Sequence, residues 1–336
     1  MRRTIIFFLT ILVMQTLSVS FVSAQETDAS CGGAAVSCDI VKAVNEYGTL
    51  DRWSVREVKE SGIIGGKVSQ LFEFYGDQEV VRTREPYAAP EGYLWRTNNV
   101  LAVVAGVTKT SNTVYPEKRG DGYCARLETH MESVKVMGMI NMDVTCQGAF
   151  FIGSLEEPIR DTKAPMTKVM YGVPFEGRPS ALVFDYKADV GHEVIRGTGF
   201  SPKKEMGYPD YPMVFMMLQK RWEEADGSVH ALRVGSAIYR FDESVPEWVD
   251  GFRLDVAYGD ITGEPFYRDY MGLKTDPETA FYTVNSEGKK VLVEEDGWAS
   301  ADDEPNWLIL TFLASSQPAF YGGVGNILWL DNIRIE

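Results

Sequence analysis

Residues 307–313 read Trp307-Leu308-Ile309-Leu310-Thr311-Phe312-Leu313, apolar at every position except Thr311. A run this short, with no wet side, is the pattern of a central β-strand covered on both faces. Neighbouring segments show the complementary pattern of half-buried strands. In Gly251–Asp260, Phe252, Leu254, Val256 and Tyr258 alternate with Arg253, Asp255 and Ala257. In Ala181–Ala188, Leu182, Phe184 and Tyr186 oppose Val183, Asp185 and Lys187. Alternation of this kind places one face on a core and the other toward water. Turn signals recur between such runs: Arg119-Gly120-Asp121-Gly122, Ala225-Asp226-Gly227, Ser286-Glu287-Gly288 and Gly322-Gly323. Helix signals are few, the best being the short Asp276-Pro277-Glu278-Thr279-Ala280, with a capping residue followed by proline. Many strands, regular turns and few helices predict an all-β protein, a jelly-roll β-sandwich.

The ends of the chain set its context. Arg2 and Arg3, the apolar run Ile5–Val13 broken only by Thr10, and Val22-Ser23-Ala24 form the three parts of a secretory leader. Residues 1–24 are therefore expected to be a signal peptide, cleaved near Ala24. Gln15, Thr16, Ser18 and Ser20 interrupt the run before the roughly 20 apolar residues that a membrane span requires. No lipidation cysteine follows the apolar run, so no anchor is expected. The chain is then exported to the periplasm, the cell surface or beyond. Residues 25–45, small and polar without a sustained period, read as a short lead-in, and 46–336 as one domain.

Composition excludes some functions. A formal net charge of -15, with basic residues scattered along the chain, argues against nucleic acid as a partner. The four cysteines, Cys31, Cys38, Cys124 and Cys146, would meet an oxidising compartment. Sequence allows a local Cys31–Cys38 loop, whereas Cys124 and Cys146 lie in strand-like segments and are equally readable as buried thiols. The chain carries no phosphate loop, dinucleotide fingerprint, paired-cysteine zinc motif or Gly-x-Ser-x-Gly elbow. Its three histidines, His130, His192 and His230, lack ligand spacing and read as structural or surface residues. Glycoside hydrolysis needs two carboxylates at a set separation, and 48 acidic residues offer no basis for selecting a pair.

One acid does stand out. Along Asn326–Glu336 a regular strand would place Asp331 on the same face as Ile327, Trp329, Ile333 and Ile335. A carboxylate there needs a partner: hydrogen-bond donors, an arginine such as Arg56, or a cation, of which calcium is the natural choice outside the cell. Tryptophans supply the other cue, because indole faces stack on sugar rings. Trp95, Trp222, Trp248 and Trp298 have polar flanks, whereas Trp307 and Trp329 lie in apolar strands. Trp298, in Glu294-Glu295-Asp296-Gly297-Trp298, and then Trp95 are the foremost platforms. Each is also readable as a packing residue.

Several segments together resemble the carbohydrate metabolism domain family of exported bacterial proteins. The most specific is Leu313-Ala314-Ser315-Ser316, then Phe320-Tyr321-Gly322-Gly323-Val324-Gly325-Asn326, then Leu328-Trp329-Leu330-Asp331-Asn332-Ile333. Others are Cys124-Ala125-Arg126-Leu127-Glu128-Thr129 with Gln147–Gly153, and Gly172–Pro179 leading into Phe184-Asp185-Tyr186-Lys187. Trp95-Arg96-Thr97-Asn98 matches a tryptophan-x-x-asparagine motif, which adds Asn98 to the carbohydrate-binding candidates. The match covers about 90–336 and reaches weakly back to Gly48–Trp53, where Asp51 stands in place of the usual glutamate and Thr49 in place of an aspartate. The resemblance implies a jelly roll similar to carbohydrate-binding modules, and makes Asp51 a second candidate ligand beside Asp331 for a structural calcium.

Other pieces invite structural roles. Gly322, Gly323 and Gly325 would permit positive φ at a sharp turn, and Arg178 could satisfy a buried Asp185 or Glu128. The reading from sequence is an exported protein that binds a polysaccharide or oligosaccharide. Its rivals are a glycoside hydrolase or lyase on the same scaffold, and a non-catalytic surface or adhesion component.

Overall fold

The computed structural model describes residues 35–74, 80–82, 93–104, 106–136, 140–161, 163–199 and 201–336. The leader, Cys31 and the first part of the lead-in lie outside these residues. The fold is an all-β sandwich. The smaller sheet runs in the order Val245–Asp255, Ala181–Asp189, Ile327–Ile335, Gly122–Val136, Val114–Arg119, with every neighbour antiparallel. The larger sheet places Trp307–Leu313 between Ala149–Leu155 and Met213–Glu223, followed by Val229–Arg240 and Lys290–Trp298. Two neighbour pairs are sequential hairpins, but most, such as Ala149–Leu155 beside Trp307–Leu313 and Ala181–Asp189 beside Ile327–Ile335, are distant in sequence, as in a jelly roll.

Between the sheets lies the main core. Leu182, Phe184, Leu328, Leu330, Leu127 and Val114 of the smaller sheet meet Phe150, Ile152, Val214, Met216, Leu308, Leu310 and Phe312 of the larger one. A second core lies on the far side of the larger sheet, built from Met213, Phe215, Met217, Ile309, Val293 and Phe281. Trp307–Leu313 therefore sends Leu308, Leu310 and Phe312 into one core and Ile309 into the other, so it is covered on both faces as its composition predicts. Phe252, Leu254, Val256 and Tyr258 all pack against the main core, again as alternation predicts. Their segment, however, changes sheets. Leu254 pairs with Leu182 of the smaller sheet, and after Val256 the pair Ala257–Tyr258 bonds to Ser236 and Gly235 of the larger one.

Three local expectations are corrected. First, the last strand is not regular. Val183 pairs with Arg334 but Asp185 pairs with Asp331, so the later strand carries one extra residue, and Asn332 takes φ 49°. This is a β-bulge, and it reverses the alternation. Leu328 and Leu330 point into the core before it, Ile333 and Ile335 after it, and Asp331 lies on the outer face. Second, residues Ala35–Tyr47 form an α-helix where no period was evident. It is tied to the final strand by Asn45, whose side chain donates to the Ile335 carbonyl (3.0 Å) and accepts from the Ile335 N–H (2.8 Å). By contrast, Asp276–Ala280 makes a single capped turn, with the Glu278 N–H bonded to Asp276 Oδ1 at 2.9 Å. Third, of the glycines near the final turn only Gly325 has positive φ (115°). Gly322 and Gly323 instead allow close approach, since a Cβ at Gly323 would lie 2.7 Å from the His192 carbonyl oxygen.

Cys124 and Cys146 sit in strands as unbridged thiols, and burial pushes both up to about 12. Among the described residues no helix is long and apolar enough to cross a membrane.

Phe312 is fully buried at the centre of the main core, edge-on to Phe184 at 5.2 Å. Phe312→Ala should cost about 3–5 kcal/mol in urea denaturation. A loss below about 1 kcal/mol would contradict this packing.

Candidate functional site

The outer face of the smaller sheet gathers the chemistry. Alternation directs Tyr115, Glu117 and Arg119 outward from their strand because Val114 points inward. The same rule sends Arg126, Glu128 and His130 outward opposite Leu127. The bulge at Asn332 adds Trp329 and Asp331, and the neighbouring strands add Asp185, Lys187, Trp248 and Asp250.

At its centre two carboxylates face one another across the strands. Asp185 and Asp331 are directly paired residues, exposed by only 5% and 7%. One nitrogen of Arg119, Nη1, donates to Asp185 Oδ2 at 2.7 Å and to Asp331 Oδ2 at 2.8 Å, while Nη2 donates to Asp250 at 2.5 Å. The shared donor confines the two carboxylate oxygens to within about 5.5 Å of each other. Asp185 also accepts from the Gly251 N–H (2.6 Å) and the Asn332 amide (2.7 Å). Among the described residues Asp331 accepts just one further bond, from the Asn332 N–H at 2.8 Å.

This unequal solvation separates their acidities. Burial alone would raise Asp185, but the donors from Asn332, Gly251 and Arg119 outweigh it and hold the carboxyl below its usual range. Burial raises Asp331, and the charge of Asp185 adds to that against the pull of Arg119. One acid is thus favoured as the anion while the other holds its proton more tightly.

Aromatic rings flank this pair. The Arg119 guanidinium lies over the Trp248 ring at 3.8 Å, and Lys187 lies over Trp329 at 4.2 Å. Trp329 Nε1 donates to Glu117 at 2.9 Å, and Glu117 is also 3.2 Å from Arg126, itself over the Tyr115 ring at 4.6 Å. Next along the sheet, His130 lies between Glu128 and Glu132 at 3.2 and 3.3 Å. Burial disfavours its charged form, yet the two carboxylates prevail and raise it to about 9, keeping the ring cationic at neutral pH.

The residues singled out from sequence do not converge. Asp331 belongs to this site, but its partner is Arg119. Arg56 instead pairs with Glu73 and Glu157 at 2.9 and 2.7 Å. The Arg119 guanidinium places a positive charge against Asp331. Asp51 lies apart, accepting the Tyr123 N–H at 2.8 Å on an exposed turn. Among the described residues the one group of three ligand-type side chains whose ligand atoms all lie within 4.8 Å of one another is elsewhere, at His230, Glu294 and Asp296.

Trp95 is no platform: it is 1% exposed, stacks on Phe150 at 4.5 Å, and donates to the Val44 carbonyl of the helix. Asn98 uses its amide structurally, donating to the Gln147 carbonyl and accepting from the Ala149 N–H and Thr113. It also lines a largely apolar cleft of about 750 Å³ beside the larger sheet. Trp298 is half-buried against the second core with Arg233 over its ring at 5.5 Å. Arg178 reaches neither Asp185 nor Glu128, donating instead to the carbonyls of Asp303 and Ala301. Asp185 is buried, as the sequence suggests, but its arginine is Arg119, which sits in the turn signal Arg119-Gly120-Asp121-Gly122 and carries no local sign of this role.

No family model matches the chain, and no curated protein matches it. Among solved structures it is similar to a candidate glycoside hydrolase from Bacteroides vulgatus, 15% identical, with 81% of this chain and 88% of that chain covered at a TM-score of 0.40. Another, from Bacteroides thetaiotaomicron, is 16% identical over 81% of this chain and 75% of that chain, also at 0.40. No residue role is carried over at that level of likeness.

The opposed acidities give opposite pH dependences. Ionised Asp185 contributes stability above its unfolded pKa of about 3.9, and that contribution is lost as pH falls through its lower folded value. For Asp331, raised on folding, the linked stability is present at low pH and declines as pH rises. Asp185→Asn should therefore cost about 1–3 kcal/mol at pH 7, with the penalty shrinking toward pH 3. Asp331→Asn should show the reverse trend. Urea melts of both variants and the parent across this range decide it, and parallel profiles would refute the assignment.

Proposed function

We propose that the chain is an exported carbohydrate-binding protein that engages its glycan on the outer face of the smaller sheet. The observation that carries this reading is the grouping of Trp248, Trp329 and Tyr115 on one face with Glu117, Arg119, Lys187 and Asn332 between them. Sugar rings need that combination, with an aromatic surface for their C–H faces and adjacent planar polar groups for their hydroxyls. The cations over Trp248 and Trp329 and the bond from Trp329 to Glu117 hold the rings in set orientations, which lowers the entropy lost on binding.

A second reading, glycoside hydrolase or lyase, is favoured by one observation. Asp185 and Asp331 are as close as the carboxylates of retaining glycosidases, and their acidities diverge as an acid and its partner require. Two facts favour binding over catalysis. Both carboxylates are almost wholly buried, and one guanidinium nitrogen is hydrogen-bonded to both.

Glycan-array screening followed by calorimetry should identify a ligand. Trp329→Ala and Trp248→Ala should each weaken its binding by about tenfold or more while the protein stays folded. Release of reducing sugar, abolished by Asp185→Asn or Asp331→Asn, would replace the binding reading with the enzymatic one. Absence of any glycan ligand would sink both.

A further inference from the structure

A second cluster of buried charge lies on the opposite side of the molecule, over the outer face of the larger sheet, and it is not balanced. Glu295, 3% exposed, is its central acid. Every lobe of that carboxylate is taken. It accepts Nε of Arg233 at 2.7 Å, Nη2 of the same residue, the Gln219 amide at 2.6 Å and the Lys274 N–H at 2.7 Å. Arg221 stands next to this group with nothing comparable. Its main chain is clamped by Asn306, which accepts the Arg221 N–H and donates to its carbonyl, both at 2.8 Å. Its Nε donates to Gln219 Oε1 at 2.8 Å, and its guanidinium lies over the Trp307 ring at 4.3 Å. The two terminal nitrogens, Nη1 and Nη2, are buried and have no hydrogen-bond partner among the described residues.

A guanidinium in this condition is unusual, because buried donors are almost always satisfied and the exceptions call for a missing ligand or a functional role. Burial draws the pKa of Arg221 down to about 9, and burial together with the charge of Arg233 lowers that of Lys274. In both cases burial is the leading cause, and the charge of Glu295 offsets it only in part. At neutral pH Arg221 still carries its proton. Its attachments are all neutral polar or aromatic groups that fix its position: Asn306, Gln219 and Trp307. They leave the paired nitrogens, whose planar fork matches a carboxylate, without an acceptor.

We propose that Arg221 anchors a binding site for a carboxylate-bearing ligand, held bidentately by Nη1 and Nη2 and walled by Trp307. The site is distinct from the Asp185–Asp331 face and does not depend on how that face is used. An acidic sugar is the simplest ligand that joins a carboxylate to a ring able to lie against an indole. Because the two nitrogens are covered in the unliganded protein, entry requires side chains over them to move, so affinity is measured at equilibrium.

The test is thermal unfolding of the full chain in glucuronate, in sulfate and in chloride at matched ionic strength. Glucuronate near ten times its Kd should raise the Tm by about 2 °C over chloride. Arg221→Met should abolish that rise, and Arg221→Lys, which keeps the charge without the fork, should reduce it severalfold. Should Arg221→Met fail to fold, the parent protein still decides, since glucuronate should perturb tryptophan emission and Trp307→Phe should remove the change. No rise in the parent, a rise that survives Arg221→Met, or a response to sulfate alone would each overturn the proposal.

Discussion

Burial of Trp307–Leu313 on both faces is the constraint from which the architecture follows. A strand with Leu308, Leu310 and Phe312 on one side and Ile309 on the other cannot lie at a surface. Its two faces demand two separate covers. The smaller sheet supplies one, closing the main core, and the segment carrying Ile261, Met271 and Phe281 supplies the other. Each buried residue of this strand contributes on the order of 1.5–3 kcal/mol by leaving water. Strands brought from distant parts of the chain are therefore held beside it despite the loop entropy their closure costs.

The second determinant is a bulge of one residue. If the final strand ran regularly, Ile333 and Ile335 would point outward and Asp331 would share their face. The extra residue at Asn332 lets Leu330 and Ile333 both reach the core and leaves Asp331 on the outside, where Asp185 and Arg119 meet it. Bulges often redirect a side chain in this way. Here the redirected group completes a charged cluster at the centre of an aromatic face.

Much of the most distinctive sequence is structural. The double serine and the glycine-rich turn converge on Asp210, a fully buried carboxylate. It accepts from the Ser316 N–H at 3.1 Å, the Ser316 hydroxyl and the Gly323 N–H at 2.8 Å, and its carbonyl accepts from Asn326. These residues hold the loop leading to the final strand and so set where Asp331 falls. Trp95 likewise stands in a motif-like setting but serves to stack on Phe150 beneath the helix. Polar neighbours in sequence say little about exposure, because in a strand they belong to the opposite face.

Local pattern, then, determined the class of fold. Alternation and the apolar run at 307–313 reflect the twofold period of a strand, which depends only on backbone geometry and on the partition of side chains between core and water. The same local information drew attention to Asp331 as a carboxylate in need of a partner. Tertiary structure decided who that partner is. Arg119 and Asp185 lie far from Asp331 in the chain and meet it only through strand order and register, and a single residue with φ 49° inverted the face on which they meet. Arg221 shows the same division. Its charge is plain in the sequence, but that its paired nitrogens meet no acceptor among the described residues depends on the strands and loops packed around it, which no local pattern encodes.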